Sequence, residues 1–132
     1  MKIKKISKIL ILLVFIQILP SMAQTMSMCK SVAAELNKTL PIKKDRLTTI
    51  RETGCVPGKP KNTFLYVLEV DASLADMRAL NLNKDIKPNV LNTFCSDPKV
   101  RPVLEAYDVD NRYFTLKGEF AGSFLMTAKE CR

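Results

Sequence analysis

Four cysteines, Cys29, Cys55, Cys95 and Cys131, spaced by 26, 40 and 36 residues, constrain this chain more than any other feature. None forms a C-x-x-C pair, and the 132 residues include no histidine. Zinc sites draw on closely spaced Cys and His, so no metal site is expected. A thioredoxin-like redox role needs neighbouring thiols and is disfavoured as well. What four widely spaced cysteines do then depends on the compartment, because an even set pairs into disulfides where conditions are oxidising.

The N-terminal residues point to such a compartment. Lys2, Lys4, Lys5 and Lys8 stand without an acidic residue among them, an apolar run follows from Ile9 to Leu19, and Pro20 ends it. Ser21-Met22-Ala23 then places small residues before Gln24. This order reads as a cleavable secretory signal over residues 1–23. The apolar core is far shorter than the roughly 20 residues of a spanning helix, so no membrane span is expected after cleavage. The first cysteine, Cys29, follows Met28 rather than the cleavage site, which argues against lipidation. Residues 24–132 remain, enough for one domain with a modest core, and they hold all four cysteines. Two disulfides are expected. Of three possible connectivities, Cys29–Cys55 with Cys95–Cys131 is favoured. The first bond would tie an opening helix to the end of the next strand. The second would pin a C-terminus that otherwise frays.

The leader changes the charge reading. It carries 4 of the 21 basic residues and none of the 13 acidic ones, so the formal +8 falls to +4 in the mature chain. A scattered +4 gives little reason to expect nucleic acid. One group of cations, Lys43, Lys44, Arg46 and Arg51 with Lys59 and Lys61 in a following loop, is a possible contact patch. It would suit an acidic protein, a glycan or an anionic surface. The same lysines would equally serve a solvated strand edge, where they discourage aggregation. No aromatics interleave with them, so single-stranded nucleic acid has no support.

Periodicity supplies the elements. Cys29, Val32, Ala33, Leu36 and Leu40 recur at helical spacing, predicting a helix over about 27–40 that ends before Pro41. Residues 45–55, rich in Thr and β-branched side chains, predict a strand, and Pro57, Gly58, Pro60 and Asn62 a loop. Thr63–Val70 predicts a strand apolar on both faces, hence central. Ser73 with Asp76 resembles a capping box ahead of Leu74, Met77 and Leu80. Leu82 and Ile86 mark a second segment, and Pro88 opens a third with a stripe of Val90, Leu91, Phe94 and Cys95. Asp97-Pro98 predicts a further helix start, short or irregular because of Pro102. Asp108–Asn111 reads as a turn, Arg112–Phe120 as a strand, Ala121-Gly122 as a hairpin turn and Ser123–Lys129 as the last strand. Together these predict an α+β domain: helix, β-hairpin, two or three short helices, β-hairpin, forming a four-stranded antiparallel sheet with helices on one face.

Little in the sequence carries catalysis. Without histidine, Ser-His-Asp and Cys-His chemistry is excluded. Acid–base work would fall to carboxylates such as Glu52, Glu69, Asp71, Glu105 and Glu119, whose spacing forms no convincing pair. Asp108-Val109-Asp110-Asn111 lacks the downstream Gly and Glu of a calcium loop. Gly54, Gly58, Gly118 and Gly122 form no phosphate-binding loop. No cofactor is expected.

Some of these residues also suggest a family. Leu40-Pro41, Asp45 with Thr48, Phe64-Leu65-Tyr66-Val67-Leu68, Pro88-Asn89-Val90-Leu91-Asn92-Thr93-Phe94-Cys95 and the final Cys131 together resemble the small exported Gram-negative proteins called quorum-sensing-regulated virulence factors. The chain departs from that pattern in its extra pair Cys29 and Cys55, and in having Ala121-Gly122 where an Asp-Gly turn is expected. The resemblance implies export, the α+β fold and a Cys95–Cys131 bond, and it implies no catalytic site.

The sequence therefore predicts a periplasmic or secreted, non-enzymatic binding module, virulence-associated in type, whose partner is an envelope or extracellular protein, a glycan or an anionic surface. The 56–62 loop and its basic flank are the expected contact region. The alternatives are a small carboxylate-dependent cell-envelope hydrolase and an inhibitor or immunity protein. A hydrolase would gather Glu52, Glu69 or Glu119 in a polar pocket, whereas a binder would show an apolar surface.

Overall fold

A computed structural model describes residues 25–131; the expected leader over 1–23 lies outside the described residues. The elements run α1 (Met26–Asn37), β1 (Ile42–Lys43), β2 (Thr48–Val56), β3 (Thr63–Val70), α2 (Leu74–Ala79), α3 (Leu82–Asp85), α4 (Lys87–Ser96), α5 (Arg101–Ala106), β4 (Asp108–Thr115) and β5 (Phe120–Met126), with a final 3-10 turn over Ala128–Glu130.

The class is α+β, but the sheet has five strands and is mixed, in the order β1-β2-β3-β4-β5. The expected four-stranded antiparallel sheet is corrected in two respects. Ile42–Lys43 adds a short edge strand to β2. The two hairpins also meet along β3 and β4, which pair parallel from Thr63↔Asp108 to Val70↔Thr115. Parallel neighbours need a long crossover, and the four helices between Asp71 and Tyr107 provide it. No helix among the described residues is long and apolar enough to cross a membrane.

The register sorts the two faces of the sheet. Cys55, Phe64, Val109 and Met126 form one row across it, Thr53, Tyr66, Asn111 and Phe124 the next, and Ile50, Leu68, Tyr113 and Gly122 a third. All three rows face the helices and hold the core, where Phe64, Leu68, Leu104, Tyr107, Val109 and Met126 are fully buried. Leu65 with Asp110 and Leu125, and Glu69 with Phe114 and Phe120, lie on the opposite face. Two bulges make this sorting possible. Pairing skips Arg51 between Ile50 and Glu52, so Ile50 and Thr53 share the inner face despite their odd spacing. Ala121 is skipped in the same way between Tyr113 and Phe114.

Several boundaries differ from expectation. Asp108–Asn111 is the first half of β4 rather than a turn, because Val109 and Asn111 continue the inward alternation of Tyr113. Ala121-Gly122 lies inside β5. The hairpin turns instead around Gly118, at φ 80, a left-handed conformation that glycine adopts without strain. Gly122 still has a glycine-specific role, since a Cβ there would meet Leu82 Cδ1 at 2.7 Å. The strand expected to reach Lys129 stops at Met126, where Thr127 and Glu130 close a capping box around the 3-10 turn. Asp97 is not a helix cap: its Oδ1 accepts from Lys99 N in a turn, and α5 begins at Arg101 with Pro102 in its first turn.

Helix α1 shows how a strand edge is closed. Strand β1 covers β2 only at Thr49 and Ile50, leaving Thr53 open on that side. Asn37 takes the place of a strand there. Its Nδ2 donates to Thr53 O at 3.1 Å, and its Oδ1 accepts from Thr53 N at 2.7 Å and from Thr53 Oγ1 at 3.0 Å. Losing all three bonds strands a partly buried N–H and C=O. Asn37→Ala is therefore expected to lower the unfolding free energy by about 2–3 kcal/mol, read from urea denaturation. A loss below about 0.5 kcal/mol would show that water replaces the amide.

Candidate functional site

The inner face of the sheet is not fully covered. Helix α1 packs over β2, whereas α2 and α3 pack against β5 and α5 against β4. A groove remains between α4 on one side and the β1–β2 turn with the end of α1 on the other. It comprises two cavities of about 530 and 180 Å³. Lys44, Val90 and Phe94 line both, so they are contiguous.

Helix α4 is the important wall. It has Pro88 in its first turn and no side-chain cap, and none of its ten residues is fully buried. Its apolar stripe of Val90, Leu91, Phe94 and Cys95 is only half-buried. Phe94 stacks edge-on with Tyr66 at 6.3 Å. The helix is held instead at its ends by the C-terminal segment. Cys95 is bonded to Cys131, and Lys87 pairs with Glu130. Away from the groove, Cys29 is bonded to Cys55, fixing the first turn of α1 to the end of β2. No described cysteine is free.

The larger cavity is lined by the buried Val70 and Met77 and by Leu80, Ile86 and Val90, and at its exposed rim by Asp45, Asp76 and Asp85 with the single cation Lys44. Asp45 is locally fixed, since its Oδ1 accepts from Leu47 N and Thr48 N at 2.9 and 2.8 Å. Burial alone would raise its carboxyl, but these bonds and the charge of Lys44 outweigh that and hold it below its ordinary value. Partial burial lowers the Lys44 ammonium, with Asp45 opposing. Tyr113 lines the same cavity, and burial, aided by the charge of Asp45, pushes its phenol up to about 12.

The candidate residues read from the sequence distribute unevenly around this groove. Lys44 lines it, with Lys43 and Arg46 exposed beside it. Arg51 is the bulged residue of β2 and reaches Glu69 at 3.7 Å on the other side of the sheet. Lys59 and Lys61 lie in the β2–β3 loop, one strand length or about 26 Å from the β1–β2 turn. The expected single basic patch is therefore divided, because β2 runs between its halves, and the 56–62 loop stands at the far end from the groove. The carboxylates do not converge. Glu52 and Glu69 lie on the outer face, Glu119 in the β4–β5 turn bonded to Thr115, Asp71 after β3 and Glu105 exposed on α5. None of the five lines either cavity. Among the described residues no cluster of His, Cys, Asp or Glu is arranged to hold a metal ion. The residues that sequence reasoning missed are Asn89, Thr93 and above all Asn111. Its signal was present: a polar side chain at an inward position of a strand, between Val109 and Tyr113.

No family model and no curated protein matches the sequence. Solved structures of similar fold exist. A candidate secreted protein of Pseudomonas aeruginosa superposes with a TM-score of 0.64 at 19% identity, covering 81% of this chain and 92% of the other. The type 2 secretion system pilotin EpsS of Vibrio vulnificus gives 0.60 at 17%, covering 81% and 91%. The type II secretion system pilotin AspS of Vibrio cholerae gives 0.53 at 14%, covering 80% and 91%. At these identities the likeness is one of fold.

Proposed function

We infer that this chain is a small exported, non-enzymatic protein that binds an apolar segment of an envelope protein partner in the groove beside α4. One observation carries this reading: α4 has no fully buried residue, and its Val90 and Phe94, packed only partly buried against the core, line both cavities. An apolar stripe that the fold leaves half-covered suits a partner that completes its burial. The rim of Asp45, Asp76 and Asp85 favours a segment with basic residues beside its apolar anchors. Such a segment would engage as an amphipathic helix laid along a groove. The company of two secretion-system pilotins and a candidate secreted protein among folds of this kind supports an exported binding protein over an enzyme. Glu52, Glu69 and Glu119, the carboxylates on which the hydrolase alternative rested, lie outside the groove and give it no support.

The test is a comparative capture from the envelope fraction. Wild-type protein and a Lys59→Glu variant, altered at the far loop, are expected to retain one common partner. Val90→Asp and Phe94→Asp are expected to lose it by about tenfold or more, since each places a charge in the apolar contact. Equal retention by all four proteins would overturn the assignment of the groove.

A further inference from the structure

The smaller cavity carries a chemical signature of its own. Asn111 lies on the inner face of β4, beside Tyr66 of β3 and Phe124 of β5, and is only 4% exposed. Its Nδ2 has no hydrogen-bond partner. An unpaired buried amide is uncommon and destabilising, so a leucine of similar volume would serve the core better. Asn111 lines the cavity of about 180 Å³. Two further polar residues there bear on its chemistry. The Thr53 hydroxyl is already spent on Ala33 O and Asn37 Oδ1. Lys44 is the only charged residue in the lining. Asp45 lines the larger cavity but not this one. The cavity thus offers an unpartnered amide donor in a mainly apolar lining that also includes Tyr66 and the exposed cation Lys44, and no carboxylate among the described residues lines it.

We propose that this cavity is a binding site for a monocarboxylate with a hydrophobic tail, the carboxylate accepting from Asn111 Nδ2 and facing Lys44 Nζ while the tail lies against Leu36, Ile50, Leu68 and Phe94. Size sets the tail. An apolar cavity of about 150 Å³ admits a benzene ring, so this one admits a chain of roughly six to eight heavy atoms. The site goes beyond the reading of the groove as a protein-binding surface and is separable from it, because Asn111 lines only the smaller cavity, whereas Met77 and Leu80 line only the larger. The carboxylate chemistry is common to a free acyl chain and to the end of a peptide.

The experiment titrates the exported protein with octanoate, with N-acetylleucine standing for the end of a peptide and with octanol, following amide resonances that include the Asn111 side chain. A saturable shift of that side-chain signal is expected with at least one carboxylate, and which of the two binds identifies the source. Octanol should bind about tenfold more weakly, because the charge-assisted hydrogen bond is missing. Asn111→Leu and Lys44→Met should each weaken the carboxylate by about tenfold. Lys44 is exposed in the structure, so its variant tests the site even if the core substitution perturbs folding. The proposal fails if neither carboxylate saturates by about 10 mM, a weak limit for a ligand of this size. It also fails if octanol binds as well as octanoate, or if the two variants leave affinity unchanged.

Discussion

Replacing Cys29 and Cys55 together by alanine is expected to lower the unfolding free energy by about 3–4 kcal/mol, or roughly 15 °C in Tm for a domain of this size. The bond closes a loop of 26 residues, and restoring that loop's freedom to the unfolded chain accounts for the magnitude on the chain-entropy view. The folded state adds to it. Helix α1 buries only Cys29, Ala33 and Leu36, a narrow face for twelve residues, since isolated helices of that length are marginal. Its other anchor is the Asn37–Thr53 bond set at its C-terminal end. The disulfide holds the first turn and Asn37 the last, so the double variant should release the start of α1 before the sheet. Hydrogen exchange should show α1 amides unprotected while those of β3 and β4 remain protected. A fall below about 1 kcal/mol, or uniform loss of protection, would contradict this account.

The second bond closes a longer loop of 36 residues and is expected to act differently. Cys95 and Cys131 are half-buried, and together with the Lys87–Glu130 pair they position α4 rather than complete the core. The Glu130 carboxyl would rise with burial, but hydrogen bonds and charge from Lys87, with help from Thr127, hold it below its ordinary value. The pair is therefore present at neutral pH and lost as pH falls through that lowered value. Removing Cys95 and Cys131 should weaken binding in the groove more than it disturbs the sheet, a separation that the Cys29–Cys55 variant should not show.

Element identity was largely legible because it depends on local pattern. Thr63–Val70 could be bounded from its alternation, the Ser73 cap from one hydroxyl ahead of an apolar period, and Pro88 marked the first turn of α4. Partnership between strands was not legible. Hairpins are signalled by turns, but the parallel union of β3 and β4 has no local signature and follows only from the length of the helical connection between them. The bulges at Arg51 and Ala121 concealed the rest. Each shifts parity by one, so the inward residues of β2 and β5 fall on both odd and even positions and the polar Thr-rich β2 shows no clean period. The groove was invisible for a related reason. Val90 and Phe94 read as an ordinary core stripe, and nothing in a helical period tells whether the facing element arrives. The cations of the expected contact patch separate because sequence proximity across a β-hairpin brings together the strands, whereas the β1–β2 turn and the β2–β3 loop lie at opposite ends of β2.

Above pH 10 the fold is expected to lose stability steeply, and two buried phenols and one half-buried phenol determine this. Tyr107 and Tyr113 are 0% and 3% exposed, and burial pushes each phenol up to about 12, with Asp45 adding to the rise at Tyr113. Burial raises Tyr66 in the same direction. An unfolded tyrosine releases its proton near pH 10. Between about pH 10 and 12 the folded chain therefore holds more protons than the unfolded one. The stability from these groups is complete below pH 10 and falls as pH rises towards 12. Two pH units at a single site correspond to about 3 kcal/mol, so two or three such sites together can exhaust the stability of a small domain. Lys44 acts in the opposite sense and more weakly, because its lowered ammonium releases its proton earlier in the folded state than in the unfolded one. Urea midpoints should hold steady from pH 7 to 9 and then drop, with tyrosinate absorbance appearing in step with unfolding rather than before it. Tyr107 provides the sharper check. Its hydroxyl is buried without a hydrogen-bond partner, so Tyr107→Phe should raise stability at pH 7 by about 1–2 kcal/mol and move the alkaline midpoint upward. If tyrosinate formed near pH 10 in protein that remained folded, or if the phenylalanine variant were less stable at neutral pH, the packing around Tyr107 would be looser than the structure shows.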